Sequence, residues 1–215
     1  MSNKQILRLA VVVATLIAAG CNQNDGPGPE IHDTKYAALG ASGEQLQGEG
    51  QARCVLDQYI GLTWEVKTDT PGLHDWRNTY SWYKPDESND PEGLDYRGAS
   101  DGGQCNGSAC DTFDYVRAVN EAGFCGYNDW RIPSRDELGS ISDPRLVESR
   151  PTINMKYFPY TQPEEYWSAN DYHFQWDTAW VWSFQHGHDR VEWKKSPRRV
   201  RLVRGEATLL ERVKD

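Results

Sequence analysis

The chain has 215 residues, a formal net charge of −9 and an aromatic content of 12%, with nine Trp and eleven Tyr. An acidic chain is poorly suited to nucleic acid, whose binding depends on Lys and Arg neutralising phosphates, and to general attraction to anionic lipid or sulfated glycans. The length fits one domain that buries a substantial core. The aromatic side chains suit either such a core or a binding face.

The N-terminus has the pattern of an export signal. Lys4 and Arg8 precede an apolar run at 9–19 that is too short to span a bilayer, and small residues at 18–20 stand directly before Cys21. This ending resembles a lipobox, so we predict that Cys21 is lipidated and anchors the protein to a membrane. The alternative is an ordinary signal peptide that is cleaved near the same position.

Asn22, rather than Asp, follows the predicted lipidated cysteine, which favours the outer membrane if the source is Gram-negative. The domain would then face the periplasm or the cell surface. Residues 22–53 are Gly-rich with little apolar periodicity, and we interpret them as a flexible tether. These signals divide the chain into a lipoprotein signal peptide (1–20), a lipidated Cys with its tether (21–53), a folded domain (54–205) and a tail (206–215).

Four cysteines remain for the folded domain: Cys54, Cys105, Cys110 and Cys125. An even number in an exported chain predicts two disulfides, and four cysteines allow three pairings among which the sequence does not choose. A zinc site is the less favoured alternative, because the spacing lacks a Cys-x-x-Cys pair.

Apolar and polar residues alternate over 62–67, where Trp64 and Val66 are separated by Glu65. A period of two predicts a strand with one buried face, and Lys67 ends the polar side of this strand.

Charge is unevenly distributed along the chain. Residues 84–110 form a Gly-rich acidic loop with the carboxylates Asp86, Glu87, Asp90, Glu92, Asp95 and Asp101. The carboxylates suggest the hypothesis that this loop binds calcium, since hard cations prefer oxygen ligands, but Pro91 stands where an EF-hand needs Gly. We favour a solvated loop held by the two cysteines within it. Residues 190–204 instead carry seven Lys or Arg and one Glu, which is either a basic patch or a set of cations paired with the acidic loops.

Two helices are predicted on either side of a turn. Residues 111–122 place apolar side chains near one face and end at Gly123, a residue that favours helix termination. Ser134 followed by Glu137 is a capping box, so a second helix should begin there. Pro133 has no N–H and prevents the preceding segment from continuing a β-ladder.

The turn between these helices carries Asp129, Trp130 and Arg131. We predict that Trp130 is a core anchor and that Arg131 pairs with a neighbouring carboxylate, because a single Trp–Arg pair is more often architectural than catalytic. A functional pair is the alternative.

A second alternating stretch lies near the C-terminus. Trp180, Trp182 and Phe184 alternate with smaller residues, and we interpret these large side chains as core. His186 and His188 flank a glycine in a predicted hairpin turn. Two His could supply half of a metal site, but no third ligand stands at a suitable spacing, so we assign no metal.

The run at 126–138, GYNDWRIPSRDEL, resembles the signature of the Lcl C-terminal domain family. Four further motifs stand in the family's order: GLTWEVKT at 61–68, YWSAN at 166–170, AWVWSF at 179–184 and VRLVRG at 200–205. The resemblance implies an α+β fold like that of C-type lectins, with two helices packed on short, mostly antiparallel strands and long irregular loops. It also implies structural roles for the motif residues Trp64, Asp129, Trp130, Arg131, Pro133, Glu137, Trp167, Trp182 and Phe184.

The resemblance supplies no activity. It implies a distant relation to the formylglycine-generating enzyme group, whose reactive Cys pair lies late in the chain, whereas the last Cys here is Cys125. The sequence also lacks the common hydrolase, metalloprotease and nucleotide-binding motifs. We therefore do not expect an enzyme.

The irregular segment 162–177 is the best candidate for a binding surface. It holds more aromatic side chains than so short a segment can bury, and exposed aromatic clusters mark interaction surfaces. The candidate residues are Asn170, Tyr172, His173, Phe174 and Trp176. The alternative is that the segment folds back and buries its rings.

These observations predict an exported, membrane-anchored, non-catalytic module that binds a glycan or a protein at the cell envelope, as an adhesin does. A structural component of an envelope assembly is the alternative, and an enzyme is less favoured. Gln162-Pro163-Glu164 is only similar to the triplet through which C-type lectins hold sugar with calcium. That difference weakens calcium-dependent sugar binding, and we assign no cofactor.

Overall fold

The computed structural model describes residues 35–47, 51–86 and 94–208. Within these ranges the chain forms seven β-strands and two α-helices. The strands are β1 (Tyr36–Leu39), β2 (Cys54–Asp57), β3 (Thr63–Glu65), β4 (Glu165–Asp171), β5 (Thr178–Ser183), β6 (His188–Trp193) and β7 (Val203–Arg204). The helices are α1 (Thr112–Glu121) and α2 (Arg135–Ser140), with short 3-10 turns at Phe124–Gly126 and Pro144–Leu146. The predicted signal peptide and Cys21 lie outside the described residues.

The strands form two antiparallel sheets, with strand orders β1-β2-β3-β7 and β4-β5-β6. Strand β7 joins the first sheet beside β3, where Trp64 pairs with Val203. The predicted α+β class, with two helices and short antiparallel strands, is confirmed. The relation to C-type lectins stays a prediction. In the part of the chain that the structure describes, no helix combines the length and apolar character needed to span a bilayer.

Strand β1 corrects the predicted tether. Tyr36–Leu39 lies inside the stretch that we interpreted as flexible, yet it pairs with β2 from Tyr36 opposite Asp57 to Leu39 opposite Cys54. Leu39 is buried in the core. The local sequence does not predict this strand, because it has only four residues and glycines follow them. The folded domain therefore includes Tyr36–Leu39 and begins earlier than residue 54.

Strand β3 was predicted to bury one face, and the structure buries both. Trp64 and Val66 face the core as expected, but Glu65 and Lys67 are buried as well. The strand does alternate as predicted, but its polar side faces other charged side chains of the protein rather than water.

Helix α1 forms within one residue of its predicted bounds. The carboxylate of Asp111 accepts a hydrogen bond from Asp114 N and caps the helix N-terminus. After the helix, Gly123 adopts a left-handed conformation with φ of 62°, which glycine accepts at low cost and which reverses the chain.

Helix α2 begins with the predicted capping box. Ser134 Oγ accepts from Glu137 N at 3.1 Å, and Glu137 Oε2 accepts from Ser134 N at 2.7 Å. Arg131 donates from both terminal nitrogens to the two Glu137 oxygens at 2.7 Å, which confirms that Arg131 pairs with a neighbouring carboxylate. Pro133 ends the segment before the cap, and its carbonyl accepts from Ala169 N at 2.7 Å.

Two disulfides form, as predicted. Cys54–Cys125 links β2 to the turn between the helices, across 71 positions of sequence. Cys105–Cys110 closes a small loop of the acidic segment.

The motif tryptophans are mainly core residues. Trp64, Trp130 and Trp167 are almost fully buried, and Trp130 donates from Nε1 to Phe124 O at 2.9 Å. The prediction that Trp180, Trp182 and Phe184 are all core residues was wrong in part. Phe184 is buried, but Trp180 and Trp182 are only half-buried. They lie on the face of β5 that α2 covers incompletely, whereas Ala179 and Val181 on the opposite face enter the core.

Candidate functional site

Of the candidate ligand-binding residues, Asn170 lies near the end of β4, and the others lie in the turn that joins β4 to β5. The turn is closed by backbone hydrogen bonds from Tyr172 N to Thr178 O at 3.2 Å, from Gln175 N to Tyr172 O at 3.0 Å and from Thr178 N to Gln175 O at 3.0 Å. These bonds fix a compact turn, so the side chains it carries have defined positions.

The side chains of this turn are mostly exposed. Phe174 is 91% exposed and Trp176 is 39% exposed, while His173 is exposed and Tyr172 is half-buried. Tyr172 packs edge-on against Trp180 with ring centroids 5.3 Å apart, and its ring lies 5.5 Å from that of Phe174. The three rings form one continuous group.

Strand β6 adds a further ring at the same end of the second sheet. Trp193, which is 47% exposed, pairs with Thr178, and Val191 pairs with Trp180. Paired residues in a sheet project from the same face. Trp193 therefore shares the face of Trp180. We call this group of side chains the aromatic end; it comprises Tyr172, Phe174, Trp176, Trp180 and Trp193.

A buried lysine holds the base of the aromatic end. Lys194 Nζ donates to Trp176 O at 2.7 Å and to Tyr96 O at 2.6 Å, and it lies 2.9 Å from a carboxylate oxygen of Asp171. It also sits over the Trp82 ring, 4.4 Å from the centroid. A buried charge with this many partners fixes the backbone of the turn while the rings stay outside.

Asn170 has an architectural partner. Its side-chain oxygen accepts from Arg135 N at 2.7 Å, which joins β4 to the start of α2. The guanidinium of Arg135 lies over the Trp180 ring at 4.8 Å and pairs with Asp189 at 3.1 Å. That Asn170 also binds a ligand stays a prediction.

The sequence reasoning missed a group of interacting polar side chains that is buried beside β3. We call it the ion cluster; it consists of Glu65, Lys67, His74, Tyr115 and Arg201. Glu65 is fully buried, and its Oε1 accepts from the Tyr115 hydroxyl and lies 2.9 Å from Lys67 Nζ and 2.8 Å from His74 Nδ1.

The ion cluster controls the charge of its members. Burial by itself would raise the pKa of Glu65, but the charge of Lys67 and the hydrogen bonds from His74 and Tyr115 outweigh it and hold that pKa well below its ordinary value. Burial lowers the pKa of Lys67, and burial together with the Glu65 charge raises the pKa of Tyr115. The carboxylate is thus kept ionised inside the core.

The ion cluster also ties the ends of the domain together. Leu202 N donates to Glu65 Oε2 at 2.9 Å, and Arg201 Nη1 donates to Glu65 O at 2.5 Å. One residue further on, Arg131 N donates to Val203 O at 2.9 Å. Motifs at 61–68, 126–138 and 200–205 therefore meet in one place.

A comparison with family models identifies the chain. The model of the Lcl C-terminal domain matches residues 53–204. The protein belongs to the Lcl C-terminal domain family. No curated protein matches the chain. The match starts at Arg53, so β1 precedes the matched part of this Lcl C-terminal domain although it pairs with β2 inside it.

The basic stretch of the Lcl C-terminal domain is largely paired with acidic residues. Six of its seven cations have partners: Arg190 and Arg198 with Glu165, Lys194 with Asp171, Arg199 with Glu164, Arg201 with Glu65 O and Arg204 with Asp129. These contacts support internal pairing, but the carboxylate partners lie in and beside β4 and in the turn between the helices, not in the acidic loop at 84–110. Glu164 of the Gln-Pro-Glu triplet is occupied in the same way, because Arg199 Nε donates to it at 2.8 Å.

The metal-binding hypotheses gain no geometric support. The described residues contain no group of three or more His, Cys, Asp or Glu side chains that could hold a metal ion. Asp95 pairs with Arg97 at 2.8 Å, and Asp101 Oδ1 accepts from Cys110 N at 2.8 Å. Glu87, Asp90 and Glu92 lie outside the described residues. The His186 and His188 rings stack with centroids 5.7 Å apart.

Proposed function

We propose that this protein is a membrane-anchored, non-catalytic binding module of the cell envelope that takes a protein partner on its aromatic end. The observation that carries the proposal is Phe174, whose ring is 91% exposed at the tip of a turn that is held firmly at its base.

Exposing a large apolar ring has a cost in water, and a rigid turn cannot withdraw it. Burying such a ring against a partner gains about 25 cal/mol for each Å² of apolar surface removed from water. Because Lys194 and the backbone hydrogen bonds already fix the turn, little conformational entropy is lost on binding. Aromatic side chains with these properties dominate the energetics of protein interfaces.

Ring geometry favours a protein over a glycan. A sugar stacks best on an open, flat ring face, but the Tyr172 ring meets Trp180 at 88° and Phe174 at 55°, which gives an uneven, interlocking surface. Phe174 also has no polar group to bond a hydroxyl. An uneven apolar surface fits the side chains of another protein.

The non-catalytic part of the proposal rests on the ion cluster. Its single carboxylate is fully buried, and both of its oxygens already accept hydrogen bonds, from Tyr115 and from Leu202 N. An acid or base that has to exchange protons with a substrate needs access to it. Glu65 therefore acts as a structural anion.

Capture from envelope extract tests the proposed partner. The mature protein is immobilised as wild type, as the double variant Phe174→Ala/Trp176→Ala, and as the control Tyr59→Ala, which removes a ring that is 57% exposed in the turn between β2 and β3. We expect the wild type and the control to retain the same envelope protein, and the double variant to bind it at least about tenfold more weakly. Equal capture by all three would contradict the proposal. If the wild type binds a glycan on an array and only the double variant loses that binding, the partner is a glycan rather than a protein.

The membrane anchor is tested separately, since Cys21 lies outside the described residues. The segment between Cys21 and Lys35 reaches at most about 50 Å when extended, which keeps the domain close to the membrane. We expect Cys21→Ser to release the protein into the soluble fraction or to leave an uncleaved precursor. A variant that fractionates and migrates like the wild type would disprove lipidation.

A further inference from the structure

A pocket of about 400 Å³ lies where the residue before β2, the loop after β3 and the C-terminal end of α1 meet. No residue of the aromatic end lines it. The volume lies in the lower part of the range of pockets that hold small ligands. We call it the arginine pocket; the side chains that matter here are Arg53, Leu73, His74, Ala122, Phe124 and Cys125.

Arg53 is the main polar group of this pocket. It is half-buried, and its Nε is buried without a hydrogen-bond partner among the described residues. No carboxylate in the described part of the chain pairs with its guanidinium, which lies over the Phe124 ring with its central carbon 5.5 Å from the centroid. A buried N–H without an acceptor costs free energy that a bound acceptor would recover.

The surroundings leave most of this positive charge uncompensated. None of the residues that line the pocket is Asp or Glu. Glu65, the carboxylate bonded to the pocket wall, is already matched by Lys67, 2.9 Å away. The C-terminal end of α1 adds a partial negative charge of only about half a unit. Carbonyls of its last turn also already accept from Ala122 N and Gly123 N, each at 3.1 Å.

Phe124 positions a second polar group beside Arg53. The His74 ring stacks on it with centroids 3.8 Å apart and an angle of 22° between the planes. His74 Nδ1 lies 2.8 Å from the ionised Glu65 carboxylate, so Nδ1 carries the proton and donates to it. Nε2 has no partner within the described ranges, and in the neutral ring it accepts a hydrogen bond from a ligand.

The rest of the wall is apolar and fixed. Leu73 packs against the core and offers apolar surface to the pocket, as does the exposed Ala122. Cys125 has a φ of 51°, a left-handed conformation that is uncommon for a residue other than glycine. Its disulfide to Cys54 holds this backbone in place. A preformed pocket loses little conformational entropy when it binds a ligand.

We propose that the arginine pocket binds a free carboxylate that stands beside an apolar group and an N–H or O–H donor. The planar fork of Arg53 matches the two carboxylate oxygens, His74 Nε2 accepts from the donor, and the apolar group packs on Leu73. One unpaired cation matches one negative charge, which favours a carboxylate over a doubly charged phosphate. A free small acid and the C-terminal residue of a peptide share this chemistry. The site does not depend on the aromatic end.

Nuclear magnetic resonance with matched probes tests the proposal. The mature, 15N-labelled protein, kept in solution by detergent micelles, is titrated with N-acetyl-leucine and with N-acetyl-leucinamide, which has the same body without the charge. We expect the acid to give saturable shifts at Arg53 Nε and Gly123 N, at least about tenfold tighter binding than the amide, and an affinity that falls as salt rises. A third titration, with a pentapeptide of four Gly and a C-terminal Leu, compares the two sources: tighter binding than N-acetyl-leucine supports a peptide end, and weaker binding supports a free small acid.

Variants then locate the site. Arg53→Gln should weaken binding of the acid about tenfold or more and make the acid and the amide bind equally. Ala122→Leu, a change at an exposed position that leaves Arg53 in place, should also weaken binding because the longer side chain enters the pocket. Arg117→Gln, which removes a 60% exposed guanidinium on α1, should bind like the wild type. The spectrum of each variant shows whether it is folded.

Three results would overturn the proposal. The first is the absence of saturable shifts with N-acetyl-leucine up to about 10 mM. The second is equal binding of the acid and the amide by the wild type. The third is wild-type affinity for the acid in a folded Arg53→Gln variant or, if that variant does not fold, in Ala122→Leu.

Discussion

Two regions of this protein use aromatic side chains in opposite ways. In the core, Trp82, Trp130 and Trp167 are almost fully buried, and each indole N–H donates to a backbone carbonyl. At the aromatic end, Phe174 and Trp176 project into solvent from a fixed turn. An aromatic count therefore says little about function. What separates the two regions is whether the ring and its polar tip are enclosed by the protein's own backbone.

Buried charge supports both regions, but with different results. The ion cluster around Glu65 joins strands from distant parts of the sequence and closes the core. Lys194 instead ties Asp171 to the carbonyl of Trp176, which stabilises the turn and leaves its rings uncovered. In the first region the charged groups stabilise a closed core. In the second region the charge of Lys194 fixes the backbone of the turn, so that its rings stay exposed. The comparison can be tested by replacing aromatic rings, disulfides and an ion pair and measuring the free energy of unfolding of each variant.

Trp130→Ala should give the largest loss of stability. The side chain is almost fully buried and packs against Phe124, with ring centroids 5.4 Å apart. Replacing a buried Trp by Ala typically costs about 3–5 kcal/mol, because it removes apolar contacts and leaves a cavity. Urea denaturation followed by circular dichroism measures the change. A variant as stable as the wild type would contradict the assignment of Trp130 to the core.

The two disulfides should differ in their contribution to stability. Cys54–Cys125 spans 71 positions, so its removal as the double Ala variant should cost about 4 kcal/mol through the entropy of the unfolded chain. Cys105–Cys110 spans 5 positions, and its removal should cost about 2 kcal/mol. The two double variants are compared by the same denaturation assay. Equal losses would show that loop closure is not the origin of the effect.

Glu137→Gln should cost about 1–2 kcal/mol at neutral pH, since Gln keeps the capping geometry but loses the charged bonds to Arg131, which is itself partly exposed. Burial acts to raise the pKa of Glu137, but hydrogen bonds from Arg131 and Ser134 N lower it further than burial raises it.

The sign of the pH effect follows from that lowered pKa. Glu137 contributes stability above its ordinary pKa of 4.5, and the contribution is lost as the pH falls through the lower pKa of the folded state. The free energies of unfolding of wild type and variant should therefore differ at pH 7 and converge in acid. A difference that is constant with pH would rule out the ion pair as its cause.

The helices and the turn between them could be predicted because their signals are local. The capping box at Ser134 and Glu137 and the glycine at Gly123 act within a few residues of themselves. Strand β1 was missed because its four residues have no strong pattern of their own. They form a strand only through pairing with β2, which a local pattern does not reveal.

The ion cluster was missed for a related reason. The alternation around Glu65 gives a polar side to the strand, but it does not say whether water or protein lies there. The groups that meet the Glu65 carboxylate include the Tyr115 hydroxyl and Leu202 N, which lie 50 and 137 positions later. For the aromatic end, the sequence located Phe174 and Trp176 but not Trp193, whose place depends on its pairing with Thr178 in the sheet.

The smallest effects on stability are expected at the aromatic end. Trp176→Ala and Tyr172→Ala should each change the free energy of unfolding by less than about 1 kcal/mol, because Trp176 is 39% exposed and Tyr172 contacts mainly the half-buried Trp180. Lys194 bonds to the carbonyl of residue 176 and not to its side chain, so the turn survives the truncation. Both variants should melt close to the wild type while they lose affinity for the captured partner. If they instead lose stability like Trp130→Ala, with no selective loss of binding, the two regions are one core and the binding surface lies elsewhere.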